Sequence, residues 1–80
     1  MVNRLPGKKV IGVKQTLKLM QSGEGKTVYI AMDAELKVVD PVKASAEING
    51  VEVVTVSTMK ELGKLCGIEV GAATALILKE

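Results

Sequence analysis

Residues 12–18, GVKQTLK, combine residue types that bind anions with a position at the start of a helix. Gly12 leaves an apolar strand pattern and a helical pattern follows it, so the N–H groups of the first helical turn are free to attract a phosphate. Lys14 and Lys18 lie one helical turn apart with Gln15 beside them, and such side chains hydrogen-bond phosphates or base edges. The alternative is an ordinary strand-to-helix turn with exposed lysines.

A second candidate is the loop sequence GIEVG at residues 67–71, in which two apolar side chains lie between glycines. Exposure of Ile68 and Val70 to water is unfavourable, so each side chain either folds back on the core or contacts a partner. We expect one of these two side chains, more than both, to pack on the core.

Residues 22–27, SGEGKT, end like a phosphate-binding loop. That loop requires a glycine where this chain has Met20, and it requires a strand before it and a helix after it. Here a helical pattern comes first and a strand pattern follows. We therefore interpret Gly23 and Gly25 as the stop of a helix and the turn into a strand, since glycine tolerates positive φ. We expect no binding of ATP or GTP.

The residues that enzymes use for catalysis are sparse. The chain has no histidine, and its carboxylates show no spacing typical of a metal site or an acid/base pair. The carboxylates considered are Asp33, Asp40, Glu61 and Glu69. The sequence predicts a protein that is not an enzyme and that has no metal or cofactor.

Length and composition predict a single small domain over residues 1–80. Hydrophobic residues make up 48% of the chain while Tyr29 is its only aromatic residue, so the core must be aliphatic. The single cysteine, Cys66, is interpreted as a small buried hydrophobe in a protein of a reducing compartment. A signal-peptide core and an apolar run of the ~20 residues that span a membrane are both lacking. We expect a cytoplasmic protein without membrane contact.

The formal net charge is only +2, but the first twenty residues are basic and carry no Asp or Glu. The basic residues there are Arg4, Lys8, Lys9, Lys14 and Lys18. Such a cluster steers a chain toward an anionic polymer. A solvated lysine face is the alternative.

The hydrophobic pattern predicts the element order β-α-β-α-β-α-β, and helices must then cover a central sheet on both sides. The predicted strands are residues 9–11, 27–32, 51–56 and 72–78, the last buried on both faces. The first helix starts at Val13 and buries Val13, Leu17 and Met20.

The second and third helices are predicted from caps and periodicity. The second covers about residues 39–48, with Asp40 as its cap, Pro41 in its first turn and a stop at residues 49–50. The third starts after Ser57 as N-cap and ends at Gly67. Its buried side is predicted to hold Met59, Leu62 and either Leu65 or Cys66.

In this order and at this separation, the segments resemble the kink-turn RNA-binding family of ribosomal L7Ae and L30e type, and most closely its small bacterial members. The matching text is IGVKQTLKLMQSG, VYIAMDA and VSTMKELGKLCGIEVGAATALIL, between Val10 and Leu78. The resemblance implies an α/β fold, a three-layer α/β/α sandwich with a mixed four-stranded central sheet. Relatives often begin with a further helix, which Pro6 and Gly7 would break here.

In that family the first long helix begins G-x-N-E-x-x-K, and its polar residues contact guanines of tandem sheared G·A pairs. The loop before the last strand contacts the bulged nucleotides. Gly12 and Lys18 match the pattern, whereas Lys14 stands at the Asn position and Gln15 at the Glu position. The resemblance implies RNA contacts at Gly12, Val13, Lys14, Gln15, Thr16, Lys18, Asp33, Lys37, Ile68, Glu69 and Val70.

The function implied is that of a non-enzymatic, monomeric protein that binds a kink-turn in ribosomal or regulatory RNA and stabilises the bent form. The ribosome is a further expected partner. Without Phe or Trp the chain has no platform for stacking single-stranded bases, which favours recognition of a kinked duplex. Lys14 and Gln15 keep a second function open, that of a ribosome-associated protein-interaction or assembly module with weak RNA binding.

Overall fold

The computed structural model describes residues 8–79, and the expected break at Pro6 and Gly7 lies outside them. The predicted order of elements is confirmed. The elements are β1 (Lys9–Ile11), α1 (Val13–Gln21), β2 (Gly25–Ala31), α2 (Leu36–Ile48), β3 (Glu52–Val56), α3 (Met59–Leu65) and β4 (Thr74–Leu78).

The four strands form one mixed sheet in the order β1-β4-β2-β3. Strand β4 is antiparallel to both of its neighbours, and Ala75 pairs with Ile11 of β1 and with Tyr29 of β2. Strand β3 runs parallel to β2, with Val54 opposite Tyr29. The carboxyl ends of β1, β2 and β3 therefore meet the start of β4 at one end of the sheet. We call this the loop end; it comprises residues 12–18, 32–37, 57–59 and 67–73.

The core is aliphatic and lies between the sheet and its helices, in the predicted three-layer α/β/α sandwich. Helices α1 and α2 pack against each other, and α3 packs against β2, β3 and β4. The largest fully buried hydrophobic side chains are Met20, Ile30, Leu62, Leu76, Val28 and Val42. Strand β4 is buried from Thr74 to Ile77, which confirms that it is covered on both faces.

Glycines with positive φ mark where helices begin and end. Gly12, at φ 109°, precedes α1, and Gly23, at φ 80°, follows it and donates its N–H to the carbonyl oxygen of Met20. Gly25 is the first residue of β2. The helix-then-strand order of residues 22–27 is thus confirmed. Gly50 and Gly67 end α2 and α3 in the same conformation.

Helix α2 begins earlier than the predicted cap at Asp40. Its N-cap is Glu35, whose carbonyl oxygen accepts from the N–H groups of Val38 and Val39, and Pro41 lies inside the helix. The prediction was wrong because a proline was taken to mark a first turn, whereas Pro41 lies in the second turn of α2, where it removes one backbone N–H from the helix. Strand β2 likewise covers Gly25–Ala31, where residues 27–32 were predicted.

Helix α3 is short, at 7 residues, and its cap is Thr58 where Ser57 was predicted. The Thr58 hydroxyl accepts from the N–H of Glu61 at 3.0 Å, so the cap is shifted by one residue. Leu62 and Cys66 are buried as expected, but Met59 is 37% exposed. Met59 is the first residue of the helix and lies at the loop end.

Candidate nucleic-acid interface

The sheet topology brings the predicted site segments together at the loop end. The N–H of Gly12 donates to the carbonyl oxygen of Thr74 at 3.2 Å, which joins the start of α1 to the start of β4. The N–H of Ala31 donates to Ala73 at 2.9 Å, which joins the end of β2 to the same stretch. The start of α1, the end of β2 and the start of β4 therefore meet at the loop end, and the predicted segments 12–18, 33–37 and 67–71 each begin or end next to this point although the sequence separates them widely.

The first turn of α1 is open to a ligand. Gly12 has no side chain to cap the helix, and the first turn contains no acidic residue. Lys14, Gln15 and Lys18 are all exposed on this helix. Uncapped N–H groups at the positive end of the helix dipole, together with two lysines, form a surface that attracts phosphate.

Two residues of the predicted set lie inward from this turn. Thr16 is fully buried, and its hydroxyl accepts from the Thr74 hydroxyl at 3.3 Å. Val13 is half-buried and packs against the core. The side chain of Thr16 is thus absent from the surface of the structure and instead fastens α1 to β4. A sequence signal existed, since Thr16 lies four residues before the buried Met20, on the same helix face.

Asp33 lies in the loop between β2 and α2. Its Oδ1 accepts a hydrogen bond of 2.7 Å from the backbone N–H of Met59, the first residue of α3. A carboxylate at the N-terminus of a helix satisfies an N–H group that has no partner within the helix. The sequence did not predict this contact, because the two residues are 26 positions apart.

Lys37 lies in the first turn of α2 and is exposed. Its Nζ is 3.4 Å from Oε2 of Glu35, and both side chains are largely in water. Such a surface ion pair contributes little to stability, so the lysine is available to another anion.

The two apolar side chains of the 67–71 loop have different environments. Ile68 is half-buried against the core, whereas Val70 is 70% exposed. Glu69 between them is exposed. The expectation that one of the two packs on the core is confirmed, and Val70 remains as an apolar group facing outward beside the start of β4.

The sequence did not reveal that Met32 and Leu36 are also exposed, at 70% and 68%, on either side of Asp33. Met32 was included in the predicted strand 27–32, but it follows the last residue of β2 and its N–H donates to the Val56 carbonyl at 2.8 Å. The loop end thus presents apolar as well as cationic groups.

Cys66 takes no part in this surface. It is buried, and its burial raises the pKa of the thiol, with the charge of Lys9 acting in the opposite direction. Over residues 8–79 no three His, Cys, Asp or Glu side chains are grouped to hold a metal ion. In the same range, the helices are too short or too polar to cross a membrane.

A groove of about 430 Å³ lies between α1 and α2. It is lined by Leu17, Gln21, Pro41, Ala44, Ser45, Ile48 and Asn49. The predicted site residues are not among them, so the groove and the loop end are separate features.

Comparisons with known proteins agree with the predicted family. The Ribosomal protein L7Ae/L30e/S12e/Gadd45 family matches residues 2–80. An RNA-binding protein of Caldanaerobacter subterraneus subsp. tengcongensis is 51% identical over 75 residues, which cover 94% of this chain and 92% of that protein. Large ribosomal subunit protein eL30 of Methanocaldococcus jannaschii is 35% identical over 75 residues, covering 92% and 68%.

The fold is also found among solved structures. The Giardia lamblia 15.5kD RNA binding protein superimposes with a TM-score of 0.85 at 29% sequence identity. The alignment covers 90% of this chain and 61% of the Giardia chain, so this chain spans less than two thirds of that protein's length. The predicted sandwich is confirmed, and the chain belongs to the Ribosomal protein L7Ae/L30e/S12e/Gadd45 family.

Proposed function

We propose that this protein binds structured RNA without catalysing a reaction, and that its target is a kink-turn, in which tandem sheared G·A pairs adjoin a bulge. It would act in the cytoplasm as a monomer. The observation that carries the proposal is the hydrogen bond of 3.2 Å from Gly12 to Thr74, which joins the uncapped, lysine-bearing start of α1 to the start of β4, the strand that directly follows the 67–73 stretch.

The two halves of the loop end suit different parts of such an RNA. The free N–H groups of α1 and the ammonium of Lys14 bind phosphates, which fix the register of the protein. Gln15 and Lys18 bear the hydrogen-bonding groups that contact guanine edges. Val70, exposed and apolar, covers an unstacked base at the bulge. A regular duplex offers no such base, so the combination favours a kinked RNA.

Binding alone is sufficient to stabilise the bent form of the RNA. A protein that binds the kinked state more tightly than the extended state shifts the population toward the kink by its difference in affinity. The names of the relatives support RNA as the ligand. The kink-turn assignment rests on the match of Gly12 and Lys18 to the G-x-N-E-x-x-K pattern of the family.

A second function is favoured by two observations. One relative is a large ribosomal subunit protein, and Lys14 and Gln15 replace the Asn and Glu of the pattern. The chain would then be a ribosome-associated interaction or assembly module with weak RNA binding, and the exposed Met32 and Leu36 would contact a protein.

The two functions separate in one titration. A fluorescently labelled kink-turn duplex is titrated with the protein, and the control RNA has its G·A pairs replaced by Watson–Crick pairs. Fluorophores on the two helical arms of the RNA report its bending in the same experiment. We expect tighter binding to the intact kink-turn together with a rise in the bent population. Equal affinities for both RNAs contradict kink-turn recognition, and absence of binding to either favours the assembly module.

A further inference from the structure

We infer that Asp33 and Gly63 are positioning residues, which hold the 67–71 loop on α3 so that Val70 reaches the bulge of the RNA. Asp33 acts through its hydrogen bond to Met59 and makes no contact with RNA itself. This inference rests on the proposed function, since it assigns a role in the same surface.

Both ends of the loop are fastened to α3. The N–H of Ile68 donates to the carbonyl oxygen of Gly63 at 3.0 Å, and the N–H of Ala72 donates to that of Met59 at 3.0 Å. The stretch between these two bonds contains Val70. The height of the Val70 side chain above the protein surface therefore depends on where α3 lies.

Gly63 allows the loop backbone to lie directly on the helix. A Cβ at this position would overlap the carbonyl oxygen of Val70 and lie 3.2 Å from the Cα of Gly71. Glycine is unfavourable inside a helix relative to alanine, so its presence in α3 needs a reason. The close approach of the loop supplies one, because any side chain at position 63 pushes the Val70 backbone outward.

Asp33 holds the first turn of α3, at the end of the helix opposite to Gly67. The Met59 N–H donates to Asp33 Oδ1 at 2.7 Å while the Met59 carbonyl accepts from Ala72, so Met59 joins the β2–α2 loop to the 67–71 loop. The Thr58 cap serves a different group, the N–H of Glu61. Without the Asp33 acceptor, the first turn of α3 loses this hydrogen bond to the β2–α2 loop.

Substitutions of Asp33 distinguish a role in positioning α3 from a direct contact with RNA. A carboxylate is repelled by phosphates, and its role toward Met59 needs only an acceptor oxygen. An asparagine supplies the same Oδ1 without the charge and is an equally good partner for a helix N-terminus. Asp33→Asn therefore preserves positioning, whereas Asp33→Ala removes it.

The test uses the full chain and two kink-turn RNAs, one with its bulged nucleotides intact and one in which abasic residues replace them. The variants are Asp33→Ala, Asp33→Asn and Gly63→Ala, with Asp40→Ala as the matched control, an exposed carboxylate on α2. On the intact RNA we expect Asp33→Ala to weaken binding about tenfold, as for the loss of one hydrogen bond. Gly63→Ala should also weaken binding, because its Cβ displaces the Val70 backbone. Asp33→Asn and Asp40→Ala should bind as the wild type does, and the losses should nearly vanish on the abasic RNA.

Two results overturn the inference. If Asp33→Asn loses as much affinity as Asp33→Ala, the charge acts on a ligand directly. If both alanine variants lose the same affinity for the two RNAs, their effect is on the whole protein and is not specific to the loop. The Asp33 variants decide the matter even where Gly63→Ala does not fold, as judged by circular dichroism. Failure of the proposed function is a separate result, seen when the wild type has no preference for intact G·A pairs.

Discussion

The hydroxyl of Thr74 donates to the hydroxyl of Thr16 across 3.3 Å in the interior of the protein, and both residues are fully buried. Thr16 lies near the start of α1 and Thr74 begins β4. The start of α1 and the start of β4 are thus joined twice, by this bond and by the Gly12–Thr74 backbone bond. The position of α1 relative to the start of β4 is fixed within the core.

Thr16→Val should lower the free energy of unfolding by ~1–3 kcal/mol, because it leaves the buried Thr74 hydroxyl without a partner. In a domain of this size that corresponds to a fall in Tm of about 4–8 °C per kcal/mol. Replacing both threonines by valine should restore much of the loss, since two apolar groups of similar shape then meet. Thermal melts of the two single variants and the double variant measure the coupling; a double variant as unstable as the sum of the singles would show that the hydroxyls act independently.

Gln15→Glu should tighten binding to a kink-turn by about 1 kcal/mol, since a carboxylate accepts from a guanine edge with a full negative charge and two oxygens. Repulsion from phosphates opposes the gain, and Lys14 and Lys18 on the same helix partly offset it. Titration of wild type and variant with a kink-turn and with a plain duplex tests this. The plain duplex should show no gain, and weaker binding of the variant to the kink-turn means that Gln15 does not face a guanine.

Lys18→Ala should reduce the preference for intact G·A pairs by ~1–3 kcal/mol, as expected for a specific contact to a base edge. Lys37→Ala, in contrast, should weaken all RNAs alike and lower the salt dependence of binding, because an exposed lysine that touches phosphate acts by charge. Affinities for both RNAs at several salt concentrations distinguish the two variants. Equal losses of Lys18→Ala on kink-turn and duplex would remove this residue from those that confer specificity.

Val70→Ser should weaken RNA binding, whereas Ile68→Ser should lower the stability of the fold. Val70 is 70% exposed, so its replacement should change stability by less than about 0.5 kcal/mol and still weaken RNA binding. Ile68 packs against the core, and its replacement should cost about 1–3 kcal/mol of stability. Melts and titrations of both variants provide the comparison. Normal RNA affinity of a well-folded Val70→Ser protein would contradict a contact with the bulge.

The order of elements was predictable from sequence because the hydrophobic period differs between strands and helices and glycines mark the helix ends. Boundaries were less predictable where a local rule had exceptions. Pro41 inside α2 and the cap at Thr58 in place of Ser57 are two such cases, since each depends on which neighbouring N–H group finds an acceptor. Met32 shows the same limit: an apolar residue at the end of a strand pattern lies in a turn.

By itself the sequence determined that the chain forms an aliphatic α/β domain, and its motif identified α1 and the 67–71 loop as the segments to consider. Their placement at the same end of the sheet was decided only by the tertiary structure, through the antiparallel pairing of β4 between β1 and β2. The environments of single side chains were also decided there. The helical period places Thr16 on the same face as the buried Met20, but its hydroxyl partner Thr74 is 58 positions away, and Met59, the partner of Asp33, is 26 positions away. A local pattern contains no information about such pairings.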